Sequence, residues 1–161
     1  MTKLRVNGQY YDVQIEPNEM LSDVLIKKLG LHGVRVSCSR GECASCTVLL
    51  DGNPTLSCIM LAMQAEGKEI TTIEGLGTYD KLHPIQEAFV EEQGFQCGFC
   101  TPGMILSTKA LLERNKRPNS EEVALALSGH ICRCGAYPLI IKSALKAAQK
   151  FEDMDNDKNK H

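Results

Sequence analysis

The chain has 161 residues, room for one ordinary domain or two small ones, and its 43% apolar and 24% charged content is that of a globular protein. A net charge of −2 gives no electrostatic basis for binding nucleic acid or an anionic membrane. No run approaches the ~18 apolar residues of a membrane span, and the alternating, charged N-terminus lacks the apolar stretch of a cleaved secretory signal, so a cytoplasmic location is expected.

In chain order, KLRVNGQYYDVQIEP has two alternating stretches around Asn7-Gly8, a strong hairpin signal. NEMLSDVLIKKLG then reads as a helix: Asn18 is the expected cap, Leu21, Val24, Leu25 and Lys28 share a face, and Gly30 ends it. CTVLLDGNPTLSC reads as two short strands around Asp51-Gly52, and KEITTIEG as a further strand. Strands with one packed helix predict a compact α+β domain over residues 1–74. Two glycines in GLGTYDKLH mark a linker at 75–83.

Beyond the linker the pattern turns helical. HPIQEAFVEEQG places Pro84 in a first turn, Ile85 and Phe89 four apart, and Gly94 as a stop. TPGMILSTKALLERN starts at Thr101-Pro102 and keeps Met104, Ile105, Thr108, Leu111 and Leu112 on one face. NSEEVALALSG has a loose capping box from Asn119 to Glu122 and ends at Gly129. YPLIIKSALKAAQKF gathers Ile140, Ile141, Ala144, Leu145 and Ala148 on one face. Helices of about three turns with short connections predict a small all-α four-helix bundle over 84–151. The polar stretch 152–161 is expected to be a disordered tail.

Eight cysteines fall in two sets, Cys38, Cys43, Cys46 and Cys58, then Cys97, Cys100, Cys132 and Cys134. Without an export signal, metal binding or catalysis is favoured over disulfides. CSRGECASC, with Cys58 following after a hairpin, has the C-x4-C-x2-C spacing plus a distant cysteine of a plant-type [2Fe–2S] site. An oxidised cluster with its thiolates is a dianion, and the small residues Gly41, Ala44 and Ser45 let backbone N–H groups approach it. Structural zinc sites instead typically pair two short cysteine units with two to four residues between the sulfurs.

The second set, CGFC and CRC, leaves two readings open, a four-cysteine zinc site and a second cluster. A thioredoxin-like redox pair is less supported, because no βαβ pattern surrounds CGFC. Both pairs sit just before helices, whose N-termini favour an anionic cluster and lower thiol pKa values. Arg133, between Cys132 and Cys134, suits either of two roles: raising a cluster potential, or pairing with a partner's carboxylate. His130 reads as a helix-end or interface residue rather than a Rieske ligand, since all four sulfurs are present. Phe95 and Phe99 read as interface or core packing, and His32, His83 and His161 stand in no motif.

GVRVSCSRGECASCTVLLDG, LSC, QCGFCTPGMI and SGHICRCGAY, in that order, resemble the small iron–sulfur subunit of the molybdenum hydroxylases, the xanthine dehydrogenase and aldehyde oxidoreductase family. The resemblance spans Thr2 to Phe151. It implies a ferredoxin-like β-grasp domain with one [2Fe–2S] cluster on Cys38, Cys43, Cys46 and Cys58. It also implies a four-helix domain with a second cluster on Cys97, Cys100, Cys132 and Cys134. A large molybdopterin-binding partner follows from it, joined in most such enzymes by a FAD-binding medium subunit. Electrons are then expected to run from molybdenum to the helical-domain cluster, to the ferredoxin-like cluster, to FAD. Gln96 and Cys134 are placed by the resemblance against the pterin. The chain departs from the family pattern at Ala44-Ser45, His130 and Gly135-Ala136, where Gly-Ala, Asn and Thr-Gly are usual.

The expected role is an electron-transfer subunit of an oxidoreductase, with no catalytic residue of its own and no Gly-rich nucleotide fingerprint. A free-standing two-cluster ferredoxin and a zinc-stabilised interaction module are the alternatives.

Overall fold

The computed structural model describes residues 1–158, with side chains described through Phe151. Strands β1 (Thr2–Val6) and β2 (Gln9–Val13) pair antiparallel. Asn7 and Gly8 both take positive φ, 53° and 78°, as a two-residue hairpin turn requires. A short helix α1 (Leu21–Asp23) continues as a π-helical turn, Val24–Lys28, and Gly30 at φ 71° ends it. Asn18 is not its cap. The N-cap is Met20, without a side-chain cap bond. Glu19 folds back onto the Glu16 N–H at 2.7 Å and takes the Lys28 ammonium at 2.6 Å, so a carboxylate organises this turn and Asn18 sits within it.

Strands β3 (Thr47–Leu50) and β4 (Asn53–Leu56) form the second hairpin, and β5 (Glu69–Thr71) completes the sheet. The order is β2-β1-β5-β3-β4, with β1 and β5 parallel and the other pairs antiparallel. Leu4, Val6, Val48 and Ile70 from the sheet bury against Leu21, Val24 and Leu25. Each such side chain contributes ~1.5–3 kcal/mol by leaving water. The arrangement is α+β and ferredoxin-like.

The rest of the chain supplies α2 (Pro84–Glu91), α3 (Thr101–Arg114), α4 (Ser120–Ala126) and α5 (Tyr137–Lys158). Their shared core holds Ile85, Phe89, Met104, Leu112, Val123, Ile140 and Ala144. The Asn119–Glu122 capping box forms as read. Helix α2 stops earlier than Gly94. Glu92 is the C-cap and Gln93 takes the positive φ of 52°. Gly94 is small for another reason: a Cβ there would run into Ser143 Oγ on α5. Helix α5 continues past Phe151 to Lys158, because 152–158 holds neither Gly nor Pro to stop it. The tail expected to be disordered is therefore helical that far, and 159–161 lie outside the described residues.

Helix α3 joins the two halves. Its Leu106 and Ala110 pack on Leu49 of β3, and Arg114 at its end donates to Asn53 Oδ1. This packing lays the N-terminal end of α3, with Cys100 just before it, beside the loop that carries the first cysteines.

Candidate metal centres

The first three cysteines lie in a stretch of turns between α1 and β3. Ser39, Gly41 and Ala44 all have positive φ, 54°, 79° and 54°. These left-handed residues curl the loop so that its N–H groups point inward. Glu42 N–H meets Cys38 Sγ at 3.3 Å. Backbone N–H groups of Arg40 and Cys43 also point at this sulfur, and together they draw the Cys38 thiol down to about 6. Cys58, in a tight turn after β4, is brought to Cys46; burial first, then the Cys46 thiol, push it up to about 11. The four sulfurs thus meet as two pairs, Cys38 with Cys43 and Cys46 with Cys58.

The second set repeats the arrangement. Cys97 and Cys100 precede α3, Cys132 and Cys134 precede α5, and Gly98 and Gly135 turn the two loops at φ 77° and 71°. Cys97 pairs with Cys134 and lies below the usual thiol range, first because the Phe99 N–H faces it. Cys100 pairs with Cys132, and burial followed by that neighbour pushes it up to about 12. Burial opposes ionisation of Cys132 too. Three N–H groups, of Ala136, Cys134 and Gly135, outweigh it and lower the thiol. None of the eight is in a disulfide.

Among the described residues no three His, Cys, Asp or Glu side chains gather closely enough to hold a single metal ion. Two thiol pairs per site, ringed by inward N–H groups, suit a group with two iron atoms and net negative charge. Each iron would take one pair, and the N–H groups would face the sulfurs.

The two loops touch. Ile131 N–H donates to the Cys43 carbonyl at 3.1 Å, and the Arg35 guanidinium lies 5.9 Å from the Phe99 ring centroid. A cleft of about 210 Å³ between them is lined by Ser37, Cys43, Cys97, Phe99, Ile131 and Arg133. Gln96 and Cys97 are exposed at its outer side. Phe95 and Phe99 are surface residues, 40% and 41% exposed, and not core. His130 is internal rather than a surface residue: it is 6% exposed, its Nε2 lies 2.7 Å from Ser107 Oγ on α3, and burial holds its pKa at about 4. Ile131, Ser107, Gly103 and Tyr137 carried no signal in the sequence: Ile131 acts through its backbone and Gly103 by its smallness, and the hydroxyls of Ser107 and Tyr137 find partners that only the fold brings near.

Comparison with known proteins agrees with this chemistry. Residues 4–72 match the family described as "2Fe-2S iron-sulfur cluster binding domain", and residues 72–145 match "[2Fe-2S] binding domain". The molecule is thus a two-cluster iron–sulfur protein. The small FeS subunit of nicotinate dehydrogenase from Eubacterium barkeri is 46% identical over 83% of this chain and 85% of its own length. A probable xanthine dehydrogenase subunit from Bacillus subtilis is 44% identical over 92% and 86%. The crystal structure of quinoline 2-oxidoreductase from Pseudomonas putida contains a chain that superposes with a TM-score of 0.88. It is 39% identical, with 92% of this chain and 93% of that one covered. In the aldehyde oxidoreductase of Desulfovibrio desulfuricans the TM-score is 0.91 at 41% identity, and 94% of this chain covers 17% of a much longer one. The chain belongs to the iron–sulfur subunits of the molybdenum hydroxylase family. It is an electron-transfer subunit of an oxidoreductase complex and carries two [2Fe–2S] clusters. No helix among the described residues is long and apolar enough to cross a membrane.

Proposed function

We propose that Cys38, Cys43, Cys46 and Cys58 hold one cluster and Cys97, Cys100, Cys132 and Cys134 the other. Each iron takes one of the thiol pairs described above. The observation that carries this is the two-by-two meeting of the sulfurs under inward N–H groups. A bound cluster stores one electron; the chain's part is to hold the thiolates, keep two of each set buried, and bring the two loops into contact. Residues 1–74 serve as the ferredoxin-like domain, 75–83 as linker, and 84–151 as a four-helix cluster domain.

Exposed Phe95, Phe99 and Ile131 surround exposed Cys97. An apolar rim around a cluster cysteine supports docking of a large molybdopterin-binding subunit there, with Gln96 and Cys134 toward the pterin. The outer edge of the first loop, Ser39, Arg40 and Glu42, is exposed over Cys38 and suits a FAD-binding subunit or another carrier. Electrons then pass from molybdenum through the second cluster to the first and outward. A cytoplasmic location is part of this reading, since cysteines that ligate clusters rather than pair with one another suit a reducing compartment.

Iron and acid-labile sulfide should each come to about four per chain. Cys43→Ser should remove one of two paramagnetic signals of the reduced protein, and Cys100→Ser the other. Bound zinc without sulfide, or loss of both signals from either change in a folded chain, overturns the assignment.

A further inference from the structure

The segment 130–132 is pinned from two sides, and the pins lie outside the cysteines themselves. Tyr137, the first residue of α5, turns its hydroxyl back over the loop that precedes it. The hydroxyl oxygen accepts from Cys132 N–H at 2.8 Å, and the hydroxyl donates to the His130 carbonyl at 3.2 Å. His130 is tied again through Ser107 Oγ on α3 and through its own N–H to the Leu127 carbonyl at 2.9 Å. Between the two clamped residues stands Ile131, whose N–H reaches the Cys43 carbonyl of the other loop at 3.1 Å. Within this chain the Ile131 side chain is 54% exposed, so contacts inside the chain do not fix that peptide through its side chain. What fixes it is the clamp on either side.

We propose that Tyr137 is a positioning residue for electron transfer between the clusters. Its hydroxyl holds segment 130–132 so that the Ile131 peptide stays bonded to Cys43. The proposal rests on the ligand assignment above, in which Cys43 serves one cluster and Cys132 the other. Under it, a route runs from Cys43 through its carbonyl, across one hydrogen bond, and through the Ile131 backbone to Cys132. One electron leaves one cluster and enters the other, and no bond is made or broken. The hydroxyl has a second effect on the same group. By accepting from Cys132 N–H it keeps that donor from turning toward sulfur, and hydrogen bonds to cluster sulfurs tune potential.

The test is Tyr137→Phe in the assembled complex, which keeps the ring and deletes only the clamp. Redox titration followed by low-temperature paramagnetic resonance reads each cluster separately, and pulse radiolysis reads transfer between them. The expected result is full iron content, a shifted potential and altered g-values for the second cluster, an unchanged first cluster, and transfer slowed several-fold. Loss of its two neutral hydrogen bonds, to Cys132 N–H and the His130 carbonyl, corresponds at ~1 kcal/mol each to a slowing of at most about thirtyfold. Unchanged second-cluster signal and transfer rate would overturn the proposal. So would loss of the second cluster from a folded complex, which would make the hydroxyl a requirement of assembly instead. Should Tyr137→Phe fail to fold, Ser107→Ala releases His130 from the other side and is read the same way. It should shift the same signal and rate, and no change refutes the clamp. Cys132→Ala, which leaves no side-chain ligand at that position, is run in parallel and separates the two ideas: if it retains the second cluster, the ligand assignment fails whatever Tyr137 does.

Discussion

Stripping iron from the reduced chain with a chelator is expected to cost helix before strand. The reason is where the cysteines sit. Cys100 and Cys132, each 8% exposed, belong to the same apolar cluster as Ile85, Phe89, Met104 and Ile140. Leu4, Leu25, Val48 and Ile70 form the other large cluster, and Cys46 and Cys58, though buried, stand outside it. Removing metal therefore opens the helical core and leaves the sheet's core intact. As a cross-link, the second site closes the loop from Cys97 to Cys134, worth ~4 kcal/mol of denatured-state entropy; the loop from Cys38 to Cys58 is shorter and worth ~3 kcal/mol. The greater difference lies in what remains. Helices α2 and α4 have only 8 and 7 residues and α3 has 14, at or below the length at which isolated helices persist in water. Losing ~4 kcal/mol from a domain whose whole stability is ~5–15 kcal/mol accelerates amide exchange there by about a thousandfold. Exchange measured by mass spectrometry along a chelator series should show α3 and α4 opening while β1, β3 and β5 stay protected. Strands that open first, or all elements opening together at one chelator concentration, would refute the reasoning.

Two further changes have stated outcomes. Replacing a helical glycine by alanine normally adds up to ~1 kcal/mol of stability, but at Gly103, in the first turn of α3, the new Cβ would lie 2.9 Å from the Ala44 carbonyl and 3.3 Å from His130 Cε1; Gly103→Ala should lower stability by ~1–3 kcal/mol, and a raised Tm would show that the loops do not meet there. Gln96→Ala should keep both clusters and the fold, because Gln96 is exposed, while weakening pterin docking or slowing cluster reduction in the assembled enzyme several-fold, on the order of one hydrogen bond; unchanged rapid-reaction kinetics with full cofactor occupancy would return Gln96 to a structural role.

Much of this molecule is legible in its sequence, for identifiable reasons. Hairpin turns announce themselves because two adjacent left-handed residues are needed at Asn7-Gly8 and Asp51-Gly52. The capping box at Asn119 is readable because its chemistry is local. The cysteines are readable because no other side chain supplies a thiolate. Elsewhere tertiary context decides. Asn18 has the chemistry of a cap, yet Glu19, tied to Lys28, organises that turn. Gly94 looks like a helix stop, yet its smallness answers to Ser143 on another helix. His130 reads as a helix-end or interface residue, and the structure turns its ring inward, where Ser107 on α3 receives it.

The seam between the two loops is where sequence alone says least, and it is also where function concentrates. The small residues of CSRGECASC read first as backbone access to a cluster. The structure adds a separate cause for them. Gly103, at the start of α3, lies against the carbonyls of Ala44 and Ser45, which are themselves 6% and 3% exposed. Gly41, by contrast, answers to its backbone, since its φ of 79° strains any side chain. Smallness on both sides of the seam lets α3 carry the second loop close enough for Ile131 N–H to reach the Cys43 carbonyl. Electron transfer between two buried groups favours such a thin, rigid contact, made of backbone and free of mobile side chains. Ligands must be cysteine and so declare themselves. A contact built from peptide groups and missing side chains leaves no residue type to read, and only the packing of α3 on β3 brings it into view.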